Sequence, residues 1–192
     1  MVPSKRVVAG VKSLELPKGY GTFYCDDNGP VPRTENEAFL VSVVRLLKPK
    51  KLVEIGVLVG ETTVCLAYNM PADAVLYGLD IDIERPRALI EFMGMEKRII
   101  LLPGISQESA KSLPDGIDFA YIDGGHGYEE VRDDTAAIWH KLSEGAVVAF
   151  HDANSPSVSR FLEEAHSDAI RFLWSHGLAI VQKPITTNNN TG

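Results

Sequence analysis

Short apolar runs alternate with helical stretches along most of this chain, and that alternation constrains its fold more than any other feature. β-Branched or apolar runs fall at 51–55, 74–79, 98–102, 117–122 and 146–150. Stretches of helical periodicity separate them at 61–69, 84–93, 107–112 and 128–142. The runs lack in–out alternation, so both faces of each strand should be buried, as in a parallel sheet covered by helices. Right-handed crossovers then give a doubly wound α/β domain.

The flanks are read the same way. Residues 1–32 are punctuated by Pro3, Pro17, Gly19, Gly21, Gly29, Pro30 and Pro32 and predict an irregular arm with at most one short helix or strand. Tyr20, Phe23 and Tyr24 would form an apolar lid there, and an exposed aromatic arm would favour a homodimer. Thr34-x-x-Glu37 reads as a capping box opening a helix that runs to about Leu47. Its inner face would carry Phe39, Leu40, Val43, Val44 and Leu47, and Pro49 ends it. After Pro156 a helix at 157–166 precedes runs at 170–174 and 178–182. Only Ser175-His176-Gly177 separates those two runs, which forces antiparallel pairing. The folded domain should span 33–185, with a polar tail over 186–192.

Bulk properties exclude several function classes. A chain of 192 residues with 45% hydrophobic and 23% charged residues suits one globular domain. A net charge of −7 disfavours nucleic acid as a partner. No apolar run approaches the roughly 20 residues that span a bilayer, and residues 1–10 carry no signal-peptide pattern, so a cytoplasmic location is expected. Cys25 and Cys65 have no metal-ligand or redox spacing, and Cys65 reads as a buried core thiol.

In an open parallel sheet, ligands bind beyond the carboxyl ends of the strands. Those ends hold Glu54 and Gly56, then Asp80, then Gly104, Ser106 and Gln107, then Asp123 and His126, then His151 and Asp152. The loop Glu54–Gly60 is read as a site for an adenosine-containing cofactor. Gly56 permits a turn that a Cβ would obstruct, Gly60 lets the next helix start close to a ligand, and Thr62 offers a hydroxyl at that helix start. Asp80 ends the following strand, placed to accept bonds from ribose hydroxyls, while Asp82 reads as the cap of the next helix.

Glu54-x-Gly56-x-x-x-Gly60 followed by Asp80 resembles the class I S-adenosylmethionine-dependent methyltransferases over about residues 34–183. Gly104-Ile105-Ser106-Gln107 is similar to the segment with which catechol-type O-methyltransferases contact adenine. Ile122-Asp123-Gly124-Gly125-His126-x-Tyr128 and Phe150-His151-Asp152 resemble a bacterial and phage small-molecule methyltransferase family. The resemblance implies a Rossmann-like seven-stranded sheet of order 3-2-1-4-5-7-6 with strand 7 antiparallel. It also implies S-adenosyl-L-methionine as cofactor, held by Gly56, Gly60, Asp80, Ser106 and Gln107, and a small-molecule hydroxyl as acceptor. An NAD-type oxidoreductase on a related fold and a non-catalytic cofactor-binding module are the competing readings.

Methyl transfer from a sulfonium is an in-line displacement, so the protein must position the acceptor and assist loss of its proton. Asp123 and Asp152 end adjacent strands, and two converging carboxylates need a cation or a proton between them. A divalent ion such as Mg²⁺ would answer that need and acidify the acceptor. In the catechol-type pattern an asparagine follows the second aspartate, whereas here Ala153 does. The third ligand is then Asn154 or His151, though strand alternation sends His151 to the opposite face; an imidazole ligand would shift the ion towards Mn²⁺ or Fe²⁺. His126, with an intrinsic pKa of about 6.5, suits the role of general base, or else it caps the helix that follows. Asp133 and Asp134 read as a solvated helix face, Trp139 and Trp174 as packing residues, and His140, His166 and His176 as surface or structural.

Overall fold

A computed structural model describes residues 5–8, 11–174 and 176–186. Beyond Thr186 the expected tail lies outside the described residues, as does Ser175 of the expected turn. The chain runs β1 (Lys5–Val8), β2 (Val11–Glu15), β3 (Thr22–Asp26), β4 (Gly29–Pro30), α1 (Glu35–Leu47), β5 (Lys51–Ile55), α2 (Glu61–Asn69), β6 (Val75–Asp80), α3 (Arg87–Met93) and β7 (Ile99–Pro103). It continues through α4 (Ser106–Ser109), a 3-10 turn at Ala110–Ser112, β8 (Ile117–Ile122), α5 (Tyr128–Trp139), β9 (Leu142–His151), α6 (Pro156–Ala165), β10 (Ile170–Phe172) and β11 (Leu178–Gln182).

The main sheet has seven strands in the order β7-β6-β5-β8-β9-β11-β10. Only β11 opposes its neighbours, pairing antiparallel with both β9 and β10, while the pairs from β7 through β9 are parallel. Counting β5 as the first strand, this is the 3-2-1-4-5-7-6 order with the seventh strand reversed. The chain switches direction across the sheet between β5 and β8, so their carboxyl ends open the crevice where ligands bind. One apolar layer joins Leu40, Val44, Val64, Leu66 and Leu89 to the sheet, and the other joins Val131, Ile138, Phe150, Phe161 and Leu162 to its opposite face. Among the described residues no helix is long and apolar enough to cross a membrane.

Local chemistry explains the helix ends, with some departures from the expected phases. The Thr34 hydroxyl accepts from Glu37 N–H at 3.1 Å, while the Glu37 carboxylate accepts from Arg33 N–H at 2.5 Å, one residue before the cap. The buried stripe of α1 is Asn36, Glu37, Leu40, Val41 and Val44. Leu47, expected inside, is 44% exposed although it lies in phase with Asn36, Leu40 and Val44, because it is the last residue of α1 and the chain turns left-handed at Lys48 directly after it. Helix α3 starts at Arg87 after a turn, and Asp82 serves that turn: it accepts from Glu84 N–H at 3.2 Å and pairs with Arg85 at 2.8 Å.

The expected irregular arm is in fact a four-stranded antiparallel sheet, β1-β2-β3-β4. Its strands are too short to show a period; Pro17, Gly19 and Gly21 mark the turn between β2 and β3, while Gly29 and Pro30 are themselves β4. Leu14, Phe23 and Cys25 face inward and join the α1–α3 layer, with Phe23 edge-on to Phe92 at 6.5 Å. Burying a side chain of that size contributes about 1.5–3 kcal/mol, enough to anchor the sheet. Phe23 is therefore core rather than lid, and Tyr24 faces solvent. Cys25 and Cys65 are both free and buried.

Candidate active site

The loop after β5 turns on Gly56, whose φ is +87°. A Cβ there would lie 2.1 Å from the Asp123 carbonyl oxygen, so only glycine lets β5 and β8 end side by side. Asp80 closes the loop from β6. Its Oδ2 accepts from Val57 N–H at 2.8 Å and Leu58 N–H at 2.9 Å, and its Oδ1 accepts from Asp82 N–H at 2.9 Å. A carboxylate offers about four acceptor positions, so Asp80 keeps capacity for a further hydroxyl. Around it Leu58, Ile81 and Ile105 are 47%, 78% and 58% exposed, a cluster of large apolar side chains at the strand ends.

Other residues expected to meet the cofactor have protein partners. The Thr62 hydroxyl donates to Glu37 Oε1 at 3.3 Å. The Ser106 hydroxyl donates to the Asp134 carboxylate, while Gln107 stays exposed. Asp134 was expected on a solvated face but is buried, and that burial pushes its carboxyl above the usual range. It lies on the α5 stripe with Val131, Thr135 and Ile138, and it pins α4 to α5 through Ser106.

The carboxyl ends of β8 and β9 bring Asp123, His126, His151 and Asp152 together. His126 Nδ1 lies 3.0 Å from Asp152 Oδ2, and its Nε2 lies 3.7 Å from Asp123 Oδ1. His151 Nδ1 lies 3.0 Å from the same Asp123 oxygen and 3.4 Å from Asp152 Oδ1. His151 thus faces the site, contrary to the expected alternation. Asp152 adopts a left-handed backbone with φ +52°, which ends the strand's alternation and swings its carboxylate to the His151 side. Asn154 is exposed and sits against Gly177 instead.

Burial works to raise the Asp123 carboxyl, but His126, His151 and Tyr121 hold it below the usual range. Asp123 and then Asp152 raise the His126 imidazole. Burial opposes protonation of His151, yet the two carboxylates carry it above its ordinary value. Two further side chains complete the cluster: Tyr121 OH donates to Asp123 Oδ2 at 3.0 Å, and His176 Nδ1 lies 3.6 Å from Asp152 Oδ1. Tyr121 sits two residues before Asp123, so strand period alone places both on one face. His176 was expected to be surface or structural. The β9–β11 register, with Leu178 opposite His151, brings its turn beside Asp152. By contrast, Trp174 packs on Phe39 and Phe172, and His166 packs among Trp139, Phe150 and Phe161.

Residues 53–153 match the family model described as a methyltransferase domain, just over half of the chain. The chain belongs to that family. A curated relative from Saccharolobus solfataricus, named "Probable cobalt-precorrin-6B C(15)-methyltransferase (decarboxylating)", is 25% identical over 126 residues, covering 64% of this chain and 62% of the relative's own length. The O-methyltransferase TomG from Streptomyces achromogenes, solved in complex with SAM, shares the fold with a TM-score of 0.69 at 16% identity, covering 81% of this chain and 82% of that one. An O-methyltransferase from Bacillus cereus in complex with SAH gives a TM-score of 0.63 at 19% identity, covering 80% and 82%.

One acid of the chain is set apart from the rest. Glu54, at the end of β5, is 1% exposed, and its Oε2 has no hydrogen-bond partner among the described residues. Burial pushes its carboxyl well above 4.5, the neighbouring Thr63 hydroxyl offsetting this only in part. Above pH 4.5 the unfolded chain gives up this proton and the folded one keeps it, so stability falls as pH rises towards the folded value. Glu54→Gln should remove that loss. Thermal melts of the two proteins should coincide near pH 4, and the variant should gain on the order of 1–3 kcal/mol by pH 8. A difference that does not change with pH would count against a buried, protonated Glu54.

Proposed function

We propose that the chain is an S-adenosylmethionine-dependent O-methyltransferase acting on a small-molecule hydroxyl. The observation that carries the reading is His126, held through Nδ1 by Asp152 at 3.0 Å while its Nε2 faces Asp123 beside the glycine turn. With Nδ1–H donating to the Asp152 carboxylate, Nε2 is left as the acceptor nitrogen, free to take the proton of a hydroxyl as its oxygen is methylated. The donor cofactor supplies the sulfonium methyl group. Gly56 and Gly60 would let it approach the backbone, Asp80 would accept from its ribose, and Leu58, Ile81 and Ile105 would cover its base. The donor ligands named with the TomG and Bacillus cereus structures fit this choice. The curated relative is named for methylation at carbon. A histidine–aspartate pair poised over open solvent favours a more acidic hydroxyl.

A second reading adds a divalent ion, and one atom favours it. His151 Nδ1 is buried and has no partner of hydrogen-bonding geometry, although Asp123 Oδ1 is only 3.0 Å away. Asp123, His126 and His151 offer ligand atoms that all lie within 4.8 Å of one another. They would hold the ion, and Asp152 would orient His126 from behind. Such an ion would supply charge to lower the pKa of a bound acceptor hydroxyl.

The test pairs binding with turnover. Calorimetric titration should show S-adenosylhomocysteine binding and no binding of NAD. Labelled S-adenosylmethionine, offered a panel of phenolic, sugar and polyketide hydroxyls, should yield an O-methylated product. His126→Asn should cut that turnover by about 10²–10⁴-fold with cofactor affinity unchanged. Unaltered turnover would remove His126 from the mechanism, and a product methylated at nitrogen or carbon would overturn the acceptor class. Exhaustive EDTA treatment separates the two readings, since only the metal-assisted one loses activity.

A further inference from the structure

We infer that Tyr121 is a positioning residue for the reaction: its hydroxyl holds Oδ2 of Asp123, so that the carboxylate presents Oδ1 alone to His126 and His151. The inference rests on the reading above that this crevice takes the proton of an acceptor hydroxyl, and it holds with or without an ion.

Backbone geometry does not decide which oxygen of Asp123 faces the histidines. Asp123 N–H donates to the Ile55 carbonyl at 2.8 Å, which fixes the main chain just beyond β8. The carboxylate itself turns about a broad, two-fold torsion, so either oxygen can point into the crevice. Two contacts choose between them. Tyr121 OH donates to Oδ2 at 3.0 Å, while Oδ1 lies 3.0 Å from His151 Nδ1 and 3.7 Å from His126 Nε2. Oδ1 is therefore the oxygen beside both imidazoles. It stands where a proton arriving on His126 Nε2 needs a negative charge, and it is the Asp123 atom left open as a ligand.

Tyr121 is itself firmly held. It is 2% exposed and lies in the apolar layer shared with α1–α3. On β8 it sits in register between Glu54 of β5 and Ala149 of β9. The small Ala149 leaves the ring room to reach His151, two residues further along β9, which it meets edge-on at 6.3 Å and 87°. One side chain thus braces two members of the cluster, Asp123 through its oxygen and His151 through its ring. For packing alone phenylalanine would serve, since a buried hydroxyl costs stability unless it finds a partner. Here the partner is the carboxylate at the crevice.

Tyr121→Phe keeps the ring and removes the oxygen. Proton–nitrogen correlation spectra of the imidazoles, recorded on the full chain without acceptor, should show His126 and His151 shifted in the variant. His166, packed among Trp139, Phe150 and Phe161 in the other layer, should stay in place. With the acceptor found in the panel above, kcat should fall by about tenfold. The acceptor KM and the affinity for S-adenosylhomocysteine should each stay within about twofold of wild type. A hydroxyl that serves only the fold would lower the melting temperature and leave kcat and the imidazole signals alone, which would overturn the inference. A loss of cofactor affinity that matches the loss of kcat would overturn it too. Should the wild-type chain methylate no acceptor, the proposed function fails instead, and unshifted His126 and His151 signals would then be what removes Tyr121 from its role.

Discussion

Gly56→Ala should lower the melting temperature by roughly 10 °C and abolish cofactor binding. The new Cβ would lie 2.1 Å from the Asp123 carbonyl oxygen, 2.6 Å from its carbon and 2.9 Å from Gly124 N, all of them backbone atoms. None can move without parting β5 from β8, which are in register from Leu52 with Phe119 to Ile55 with Ile122. The φ of +87° adds the left-handed penalty of a non-glycine residue, about 1–2 kcal/mol. Together these place the cost at about 4 kcal/mol or more. Gly94→Ala is the control. It has a similar φ of +64° with nothing within 4 Å of the added atom, so it should show the conformational penalty alone. Equal losses in the two variants would mean that the Asp123 contact is not what fixes Gly56.

The sequence made the sheet legible and left parts of the site obscure, for physical reasons. Buried parallel strands advertise themselves as unbroken apolar runs, and β5, β8 and β11 fall on the residues expected for them. The arm was opaque because strands of two to five residues show no period, and Leu14 and Phe23 find their partners only in three dimensions. At the site, Asp123, His126 and Asp152 follow from position alone, since strand ends in this topology meet at one crevice. His151 was misdirected because strand alternation was carried one residue too far, into the left-handed Asp152. His176 lies 24 residues from Asp152, and only the antiparallel register joins them. Asp134 was the avoidable miss: it falls three residues after Val131 and four before Ile138, on the stripe that buries α5.

Asp152→Asn should reduce turnover by about 10²-fold or more, whichever of the two proposed mechanisms operates. Asp152 occupies a left-handed φ of +52°, a conformation that asparagine tolerates as well as any residue bearing a Cβ, so backbone strain should not confuse the result. The change keeps the shape and removes the charge. Without the carboxylate 3.0 Å from His126 Nδ1, the imidazole loses the partner that fixes its tautomer, and the amide can instead donate to Nδ1 and put the proton on Nε2. A protonated neutral Nε2 can neither accept a hydroxyl proton nor bind an ion, so both mechanisms fail at one atom. Their signatures still differ. If His126 is the base, the variant should keep full metal and cofactor affinity and lose only turnover. If His126 is a ligand, Co²⁺ affinity should fall by about 10–100-fold in step with turnover. A variant with wild-type turnover would show that Asp152 does not orient His126 at all.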